Sequence, residues 1–186
     1  MNRLFNEMKH VLFIFIACLC CACFVQAQPT PGKETIVIKF PGEYRWKSSK
    51  IPKDTKGIRG TSYTIKGRGA ETAPINTVTV TTIDRRYYPM EARGMPEEKW
   101  AFEKSGCPDA ELDVIDQKTV DGHTSILYAI SATRTADSDC GSTVLLTYIT
   151  EGPTALHTVE LTIPQEDFTP ELLEQWREAL LHSQVE

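Results

Sequence analysis

Residues 112–133, with the sequence LDVIDQKTVDGHTSILYAISAT, contain the pattern that decides the fold. Asp121-Gly122, in the middle of this stretch, is a dipeptide that strongly favours a two-residue turn between antiparallel strands. After the turn, Ile126, Tyr128 and Ile130 recur at every second position, which is the periodicity of a β-strand. The stretch therefore predicts a β-hairpin.

Further strands are predicted on both sides of this hairpin from alternating hydrophobicity and from β-branched residues. They cover residues 36–40, 63–65, 75–83, 143–150 and 156–163. In the run 75–83, INTVTVTTI, the side chains of Val78 and Val80 are expected on one face. Residues 47–60 contain Pro52 and two glycines and show little periodicity, so we expect a loop there.

Two helices complete the pattern. The first begins near Pro96 and has two glutamates in its first turn, where the helix dipole favours negative charge. The second follows Thr169, which is suited to the N-cap position, and carries an apolar stripe. The stripe consists of Leu172, Leu173, Trp176 and Leu180. This order of elements predicts an α+β fold, an antiparallel β-sheet with two packed helices, the second at the C-terminus.

The first 27 residues have the organisation of an export signal. Arg3 and Lys9 precede an apolar run from Val11 to Val25, and the run ends before small residues that suit cleavage after Ala27. The run is shorter than the roughly 20 apolar residues that span a bilayer. We therefore expect a signal peptide at 1–27, a flexible leader at 28–33 and a single domain at 34–186, located in the periplasm or outside the cell.

Cysteines inside the apolar run leave a second location open. Cys23 follows Ala22 and Cys18 follows Ala17, so both have the small preceding residue of a bacterial lipidation site. Neither has the usual leucine three positions earlier. Cleavage after Ala27 is therefore favoured over a lipoprotein anchored to the membrane at Cys23 or Cys18.

Cys107 and Cys140 are the cysteines that remain after removal of the signal peptide. Exported thiols normally oxidise and two cysteines allow one pairing, so we expect a Cys107–Cys140 disulfide. Closing a loop of roughly 34 residues would contribute ~3–4 kcal/mol on the chain-entropy estimate. A reactive redox pair usually has the C-x-x-C spacing, which these two cysteines lack.

The charges of the predicted mature chain are unevenly distributed. It has 18 basic and 24 acidic side chains, a balance that does not favour nucleic acid or an anionic membrane as a partner. Residues 33–68, however, contain ten basic and three acidic side chains. We expect six of these basic residues to bind an acidic partner, a protein: Arg45, Lys47, Lys50, Lys53, Lys56 and Arg59. The alternative is a solvated face that keeps the protein soluble.

Catalytic and metal-binding motifs do not stand out in this sequence. His123, His157 and His182 lack the H-x-x-x-H spacing of a zinc site, and no serine lies in a G-x-S-x-G elbow. The acidic run 109–116 is interleaved with apolar residues as on a strand, which favours a solvated strand face over a calcium site. We therefore expect no metal and no cofactor.

The order of elements resembles the PsbP-type α+β fold of photosystem extrinsic proteins and small bacterial envelope lipoproteins. The matching features are residues 38–46, IKFPGEYRW, the hairpin around Asp121-Gly122 and the final helix from Thr169. The resemblance covers most of the predicted mature chain and involves no diagnostic motif. It implies a non-catalytic accessory or binding protein, and it carries over no catalytic residue and no ligand.

Two classes of function remain. Small size, an export signal, one disulfide and the lack of a catalytic motif favour a non-catalytic binding or accessory protein of the bacterial cell envelope, including an inhibitor or immunity protein. The alternative is a secreted hydrolase whose site is assembled from scattered residues such as His123, Asp121 and a serine. A pocket with a perturbed histidine beside a carboxylate would favour the hydrolase.

Overall fold

The helices and strands are described by a computed structural model that covers residues 33–42, 44–52, 55–67, 73–75, 77–132 and 140–186. The strands are β1 (Ile36–Val37), β2 (Arg45–Ile51), β3 (Ile58–Lys66), β4 (Thr77–Asp84), β5 (Glu111–Val120), β6 (His123–Ala132), β7 (Thr143–Glu151), β8 (Ala155–Pro164) and β9 (Gln184–Val185). The helices are α1 (Met95–Gly106) and α2 (Pro170–Leu181). Short 3-10 turns at Ala92–Gly94 and Gln165–Asp167 precede them.

The strands form two antiparallel sheets within the described part of the chain. The large sheet has seven strands in the order β2-β3-β4-β8-β7-β6-β5, so that β2 and β5 are its edges. β1 pairs with β9 in a two-stranded sheet. The turn between β5 and β6 contains Asp121 (φ 51°) and Gly122 (φ 80°), and two left-handed residues of this kind suit a tight hairpin. The predicted α+β fold is confirmed.

One face of the large sheet packs against α2. Val78 and Val80 lie in this core together with Trp176 and Leu180, as the apolar stripe of the helix predicts. The ring of Phe40 joins them, with its centroid 6.0 Å from that of Trp176. The N-cap of α2 is formed as expected, since the Leu172 backbone N–H donates a 3.2 Å hydrogen bond to the Thr169 hydroxyl.

The other face packs against α1 at the opposite end of the sheet. Ile126, Tyr128 and Ile130 of β6 are buried there, and Trp100 of α1 packs against them. The Trp100 indole N–H donates a 2.8 Å hydrogen bond to the Ala110 carbonyl oxygen, which ties the helix to the start of β5.

The expected loop at 47–60 is wrong. Most of this segment belongs to the edge strand β2 and to β3, which pair from Arg45 with Lys66 to Ile51 with Gly60. The alternation is hidden in the sequence because β2 is exposed along nearly its whole length, with only Trp46 partly buried. The opening strand is also shorter than predicted, since β1 covers only Ile36–Val37.

Cys107 and Cys140 are within disulfide distance, with their Cα atoms 5.7 Å apart. The predicted pair is therefore confirmed, and it connects the end of α1 to the segment that leads into β7. The predicted signal peptide at 1–27, Cys18, Cys23 and Lys53 lie outside the described residues. Within the described ranges, none of the helices has both the length and the apolar character needed to cross a membrane.

Candidate functional site

A polar row crosses the face of the large sheet that otherwise packs against α2. Arg59 of β3 is in register with Thr82 of β4, and Thr82 is in register with His157 of β8. The neighbouring positions on this face of β4 and β8 are Val80 and Val159, both buried. Three polar side chains on adjacent strands in an apolar face need hydrogen-bond partners, because an unsatisfied buried polar group costs stability.

The partner of His157 comes from the segment before β1. His157 is 0% exposed and Glu34 is 2% exposed. His157 Nε2 lies 3.1 Å from Glu34 Oε1, and His157 Nδ1 lies 3.1 Å from the Thr82 hydroxyl oxygen. A carboxylate, an imidazole and a hydroxyl thus form one continuous hydrogen-bonded chain, which we call the Glu34–His157–Thr82 chain.

The Glu34 side chain is held by the turn between β7 and β8. Its second oxygen, Oε2, accepts hydrogen bonds from the Thr154 backbone N–H (2.9 Å) and the Thr154 hydroxyl (2.8 Å). Gly152 makes room for the carboxylate, because a Cβ atom at that position would overlap Glu34 Oε1. The Arg59 guanidinium donates a 2.6 Å hydrogen bond to the Glu34 backbone carbonyl oxygen. Glu34 is therefore fixed from two sides.

These contacts determine which atoms carry protons in the neutral imidazole. A carboxylate oxygen only accepts, so His157 Nε2 must donate to Glu34, and Nδ1 is left to accept from the Thr82 hydroxyl. Burial lowers the pKa of His157 below its ordinary value of 6.5; Glu34 opposes this shift and the positive charge of Arg59 adds to it. The neutral imidazole is therefore favoured in the folded protein.

A pocket of about 380 Å³ lies on this side of the sheet. It is lined by basic, hydroxyl-bearing and apolar side chains, among them Lys50, Arg59, Tyr63, Thr82, Ile36 and Ile51. Thr82 lines the pocket and is 8% exposed, whereas His157 is fully buried behind it and contacts the Thr82 hydroxyl. The pocket therefore offers two cations and a hydroxyl-bearing side chain beside an apolar wall.

The six basic residues of the predicted binding surface do not all lie on the same face of the sheet. Lys50 and Arg59 line the pocket together. Arg45 and Lys47 are an odd number of residues from Lys50 along β2 and therefore point to the opposite face. On that face, Lys47 lowers the pKa of the nearby Lys66 by hydrogen bonding and charge repulsion.

Lys56 lies apart from both groups. Its ammonium is 4.9 Å from the centroid of the Tyr87 ring, and the Tyr87 side chain occupies the space where a Cβ atom on Gly57 would be. Cation–π contact of this kind holds Lys56 beside Tyr87. Lys53, the sixth predicted residue, is not among the described residues.

The histidines among the described residues are His123, His157 and His182, and they lie in three separate places. His123 begins β6, beside the hairpin turn that contains Asp121, and His182 follows α2 with its Nδ1 2.8 Å from the Glu178 carbonyl oxygen. Sequence reasoning named His123 and Asp121 for the alternative hydrolase and missed the His157–Glu34 pair. One signal was present: alternation places Thr82 with Val80 and His157 with Val159 on the buried face.

In the described ranges, no three His, Cys, Asp or Glu side chains are grouped closely enough to hold a metal ion. The side chains at the pocket suit binding to an anion, by Lys50 and Arg59, or activation of the Thr82 hydroxyl by His157.

The sequence matches no protein-family model and no curated protein. Among solved structures, the chain is similar to the cyanobacterial PsbP protein, CyanoP, of Synechocystis sp. PCC 6803, with 10% identity and a TM-score of 0.38. That match covers 80% of this chain and 98% of CyanoP. A protein of unknown function from Pseudomonas aeruginosa matches with 13% identity and a TM-score of 0.33, over 76% of this chain and 83% of the other. The PsbP-type resemblance indicated by the sequence is thus also found among solved structures, as a weak likeness of fold.

Proposed function

We propose that the protein is an exported, non-catalytic binding or accessory protein of the bacterial cell envelope, and that it binds an acidic protein partner. The observation that carries the proposal is the pocket in which Lys50 and Arg59 stand beside the Thr82 hydroxyl and an apolar wall. A concave site with a few polar groups in an apolar lining is typical of binding sites. The Cys107–Cys140 pair supports export, because disulfides persist in oxidising compartments.

The distribution of charge over the sheet supports an acidic partner. The edge strand β2 carries Arg45, Lys47 and Lys50, and all three side chains are exposed or nearly so. The opposite edge, β5, carries Glu111, Asp113 and Asp116. A surface with a basic edge and an acidic edge orients an approaching charged partner. An acidic protein would therefore approach the β2 edge.

A simpler interpretation of the basic edge is protection against aggregation. Lysines on an edge strand discourage pairing with strands of other molecules. The two interpretations differ in what they require of the residues, since protection needs only charge on β2 whereas binding needs the particular charges beside the pocket. The decisive comparison is therefore between Lys50 and a lysine elsewhere.

The experiment is a capture assay with Lys50→Glu as the test variant. Lys118→Glu on β5 is the matched control, because Lys118 is also an exposed lysine on an edge strand of the same sheet. Arg59 is left intact because its hydrogen bond to the Glu34 carbonyl has a structural role. Tagged protein is incubated with envelope extract at increasing NaCl concentrations. We expect Lys50→Glu to lose the salt-sensitive partner and Lys118→Glu to keep it; equal capture by the two variants would contradict the proposal.

A hydrolase is the second candidate, because a histidine with a shifted pKa lies beside a carboxylate and contacts a hydroxyl that lines the pocket. In nucleophilic catalysis, a hydroxyl bonded to an imidazole and a carboxylate behind it is the arrangement that activates the nucleophile. The candidate nucleophile is Thr82, in place of the serine expected from the sequence. Labelling with a fluorophosphonate, followed by mass spectrometry, distinguishes the classes: a Thr82 adduct absent from His157→Gln would favour the hydrolase.

A further inference from the structure

We propose that the pocket binds a monoanion with a short apolar body, through Lys50, Arg59 and the Thr82 hydroxyl, and that protonation of His157 strengthens this binding. The inference rests on the proposed function, because it names the chemistry that an acidic partner would present to the pocket. It also assigns to the buried Glu34–His157–Thr82 chain a role beyond holding the segment before β1 in place.

The proton count of His157 decides which way the Thr82 hydroxyl points. When the imidazole is neutral, Nδ1 accepts from Thr82 and the hydroxyl hydrogen is directed to His157, away from the pocket. When the imidazole is protonated, both nitrogens donate, and the Thr82 oxygen becomes the acceptor. Its hydrogen is then free to donate to a group in the pocket. Protonation of His157 therefore allows the Thr82 hydroxyl to donate a hydrogen bond to an anion in the pocket.

The charges around His157 allow such a coupling. Glu34 faces it from the segment before β1, and Arg59 faces it from β3 across Thr82. Its register partner on β7 is the uncharged Thr150. Asp84, two positions beyond Thr82 on β4, is already paired with Arg86 through contacts of 2.6–3.2 Å. With Glu34 as the negative neighbour, the His157 imidazole stays neutral. An anion in the pocket would be a second negative group near it.

The apolar lining defines the rest of the ligand. Ile36, Ile51 and Val80 line the pocket, together with the ring of Tyr63. Its volume of about 380 Å³ falls at the lower end of the range for small-ligand sites. A carboxylate or sulfonate head on a chain of a few carbons fits this combination. Such a group could belong to an acidic side chain of the partner or to a free small molecule.

The test is an NMR titration of the ¹⁵N-labelled protein with hexanesulfonate, whose charge is constant from pH 5 to pH 8. We expect amide shifts at Lys50, Arg59 and Thr82, and binding roughly tenfold tighter at pH 5 than at pH 8, the size of one charge-assisted hydrogen bond gained. Thr82→Val should lose this pH dependence, and Thr82→Ser should retain it. Thr81→Val is the matched control, because Thr81 is the next residue on β4 and points to the opposite face.

Uncharged hexanol and direct titration of His157 complete the experiment. Hexanol should bind without pH dependence, and saturating hexanesulfonate should raise the pH at which the His157 ring protonates. Equal affinity at both pH values, or identical binding by Thr82→Val and the wild type, would overturn the inference.

The same ligand separates this inference from the proposed function. If hexanesulfonate fails to bind but Lys50-dependent capture persists, the pocket chemistry is wrong and the partner proposal stands. If hexanesulfonate binds but no partner is captured, the pocket chemistry stands and the partner proposal is wrong. Competition between hexanesulfonate and the captured partner would assign the anionic group to the partner, and binding without competition would assign it to a free small molecule.

Discussion

Replacement of Glu34 by alanine is expected to destabilise the protein strongly. The Glu34 carboxylate is 2% exposed and has three hydrogen-bond partners: His157 Nε2, the Thr154 backbone N–H and the Thr154 hydroxyl. Alanine would leave all three without an acceptor. A buried unsatisfied group costs about 1–3 kcal/mol, and water entering the vacated space would recover part of that. We therefore expect a loss of about 3–5 kcal/mol in the free energy of unfolding.

A second variant, Glu34→Gln, separates the hydrogen bonds of Glu34 from its charge, and a third variant serves as the control. Glu34→Gln keeps the shape and one acceptor, so it should cost about 1–2 kcal/mol. Glu111→Ala is the matched control, because Glu111 is an exposed glutamate at the start of β5. The assay is urea denaturation of residues 28–186, followed by tryptophan fluorescence at pH 7. A Glu34→Ala protein as stable as Glu111→Ala would refute the account of the buried chain.

Three other expectations concern the disulfide, the pH dependence and the aromatic core. Cys107→Ser should lower the free energy of unfolding by roughly 2–5 kcal/mol. Thiol titration of the denatured wild type without reductant should detect neither Cys107 nor Cys140, and free thiols at these positions would contradict the pairing. Because burial lowers the pKa of His157, the unfolded chain takes up a proton before the folded one does, so stability should fall as the pH drops below about 6.5. His157→Gln should show a smaller fall in the same urea titrations between pH 7 and pH 5, and an equal fall would show that other groups cause it. Trp176→Ala should lower the free energy of unfolding, measured by heat or urea, by about 3–5 kcal/mol, because Trp176 is 3% exposed and packs beside Phe40 and Trp46. A loss below about 1 kcal/mol would contradict that packing.

The elements with strong local signals could be predicted from the sequence. The β5–β6 hairpin follows from Asp121-Gly122, and α2 follows from its cap and apolar stripe. The edge strand β2 was missed because an edge strand exposed on both faces shows no alternation of apolar and polar side chains.

The candidate site could be predicted only in part. Lys50 and Arg59 were expected to bind, but their shared pocket depends on the register between β2 and β3. Glu34 and His157 are 123 positions apart, and no local pattern indicates that they meet. Their contact is tertiary, because the segment before β1 is held at the sheet by Thr154 and by the Arg59 guanidinium.

Site-specific photocrosslinking in intact cells tests the central claim most directly. A benzophenone amino acid is placed at Ser48 on β2 or at Thr119 on β5, since both residues are exposed on the edge strands of the same sheet. Ser48 is two residues from Lys50 and therefore shares its face. We expect one crosslinked protein partner at Ser48, lost when Lys50→Glu is added, and none at Thr119. A partner crosslinked at Thr119 but not at Ser48 would contradict binding at the basic edge.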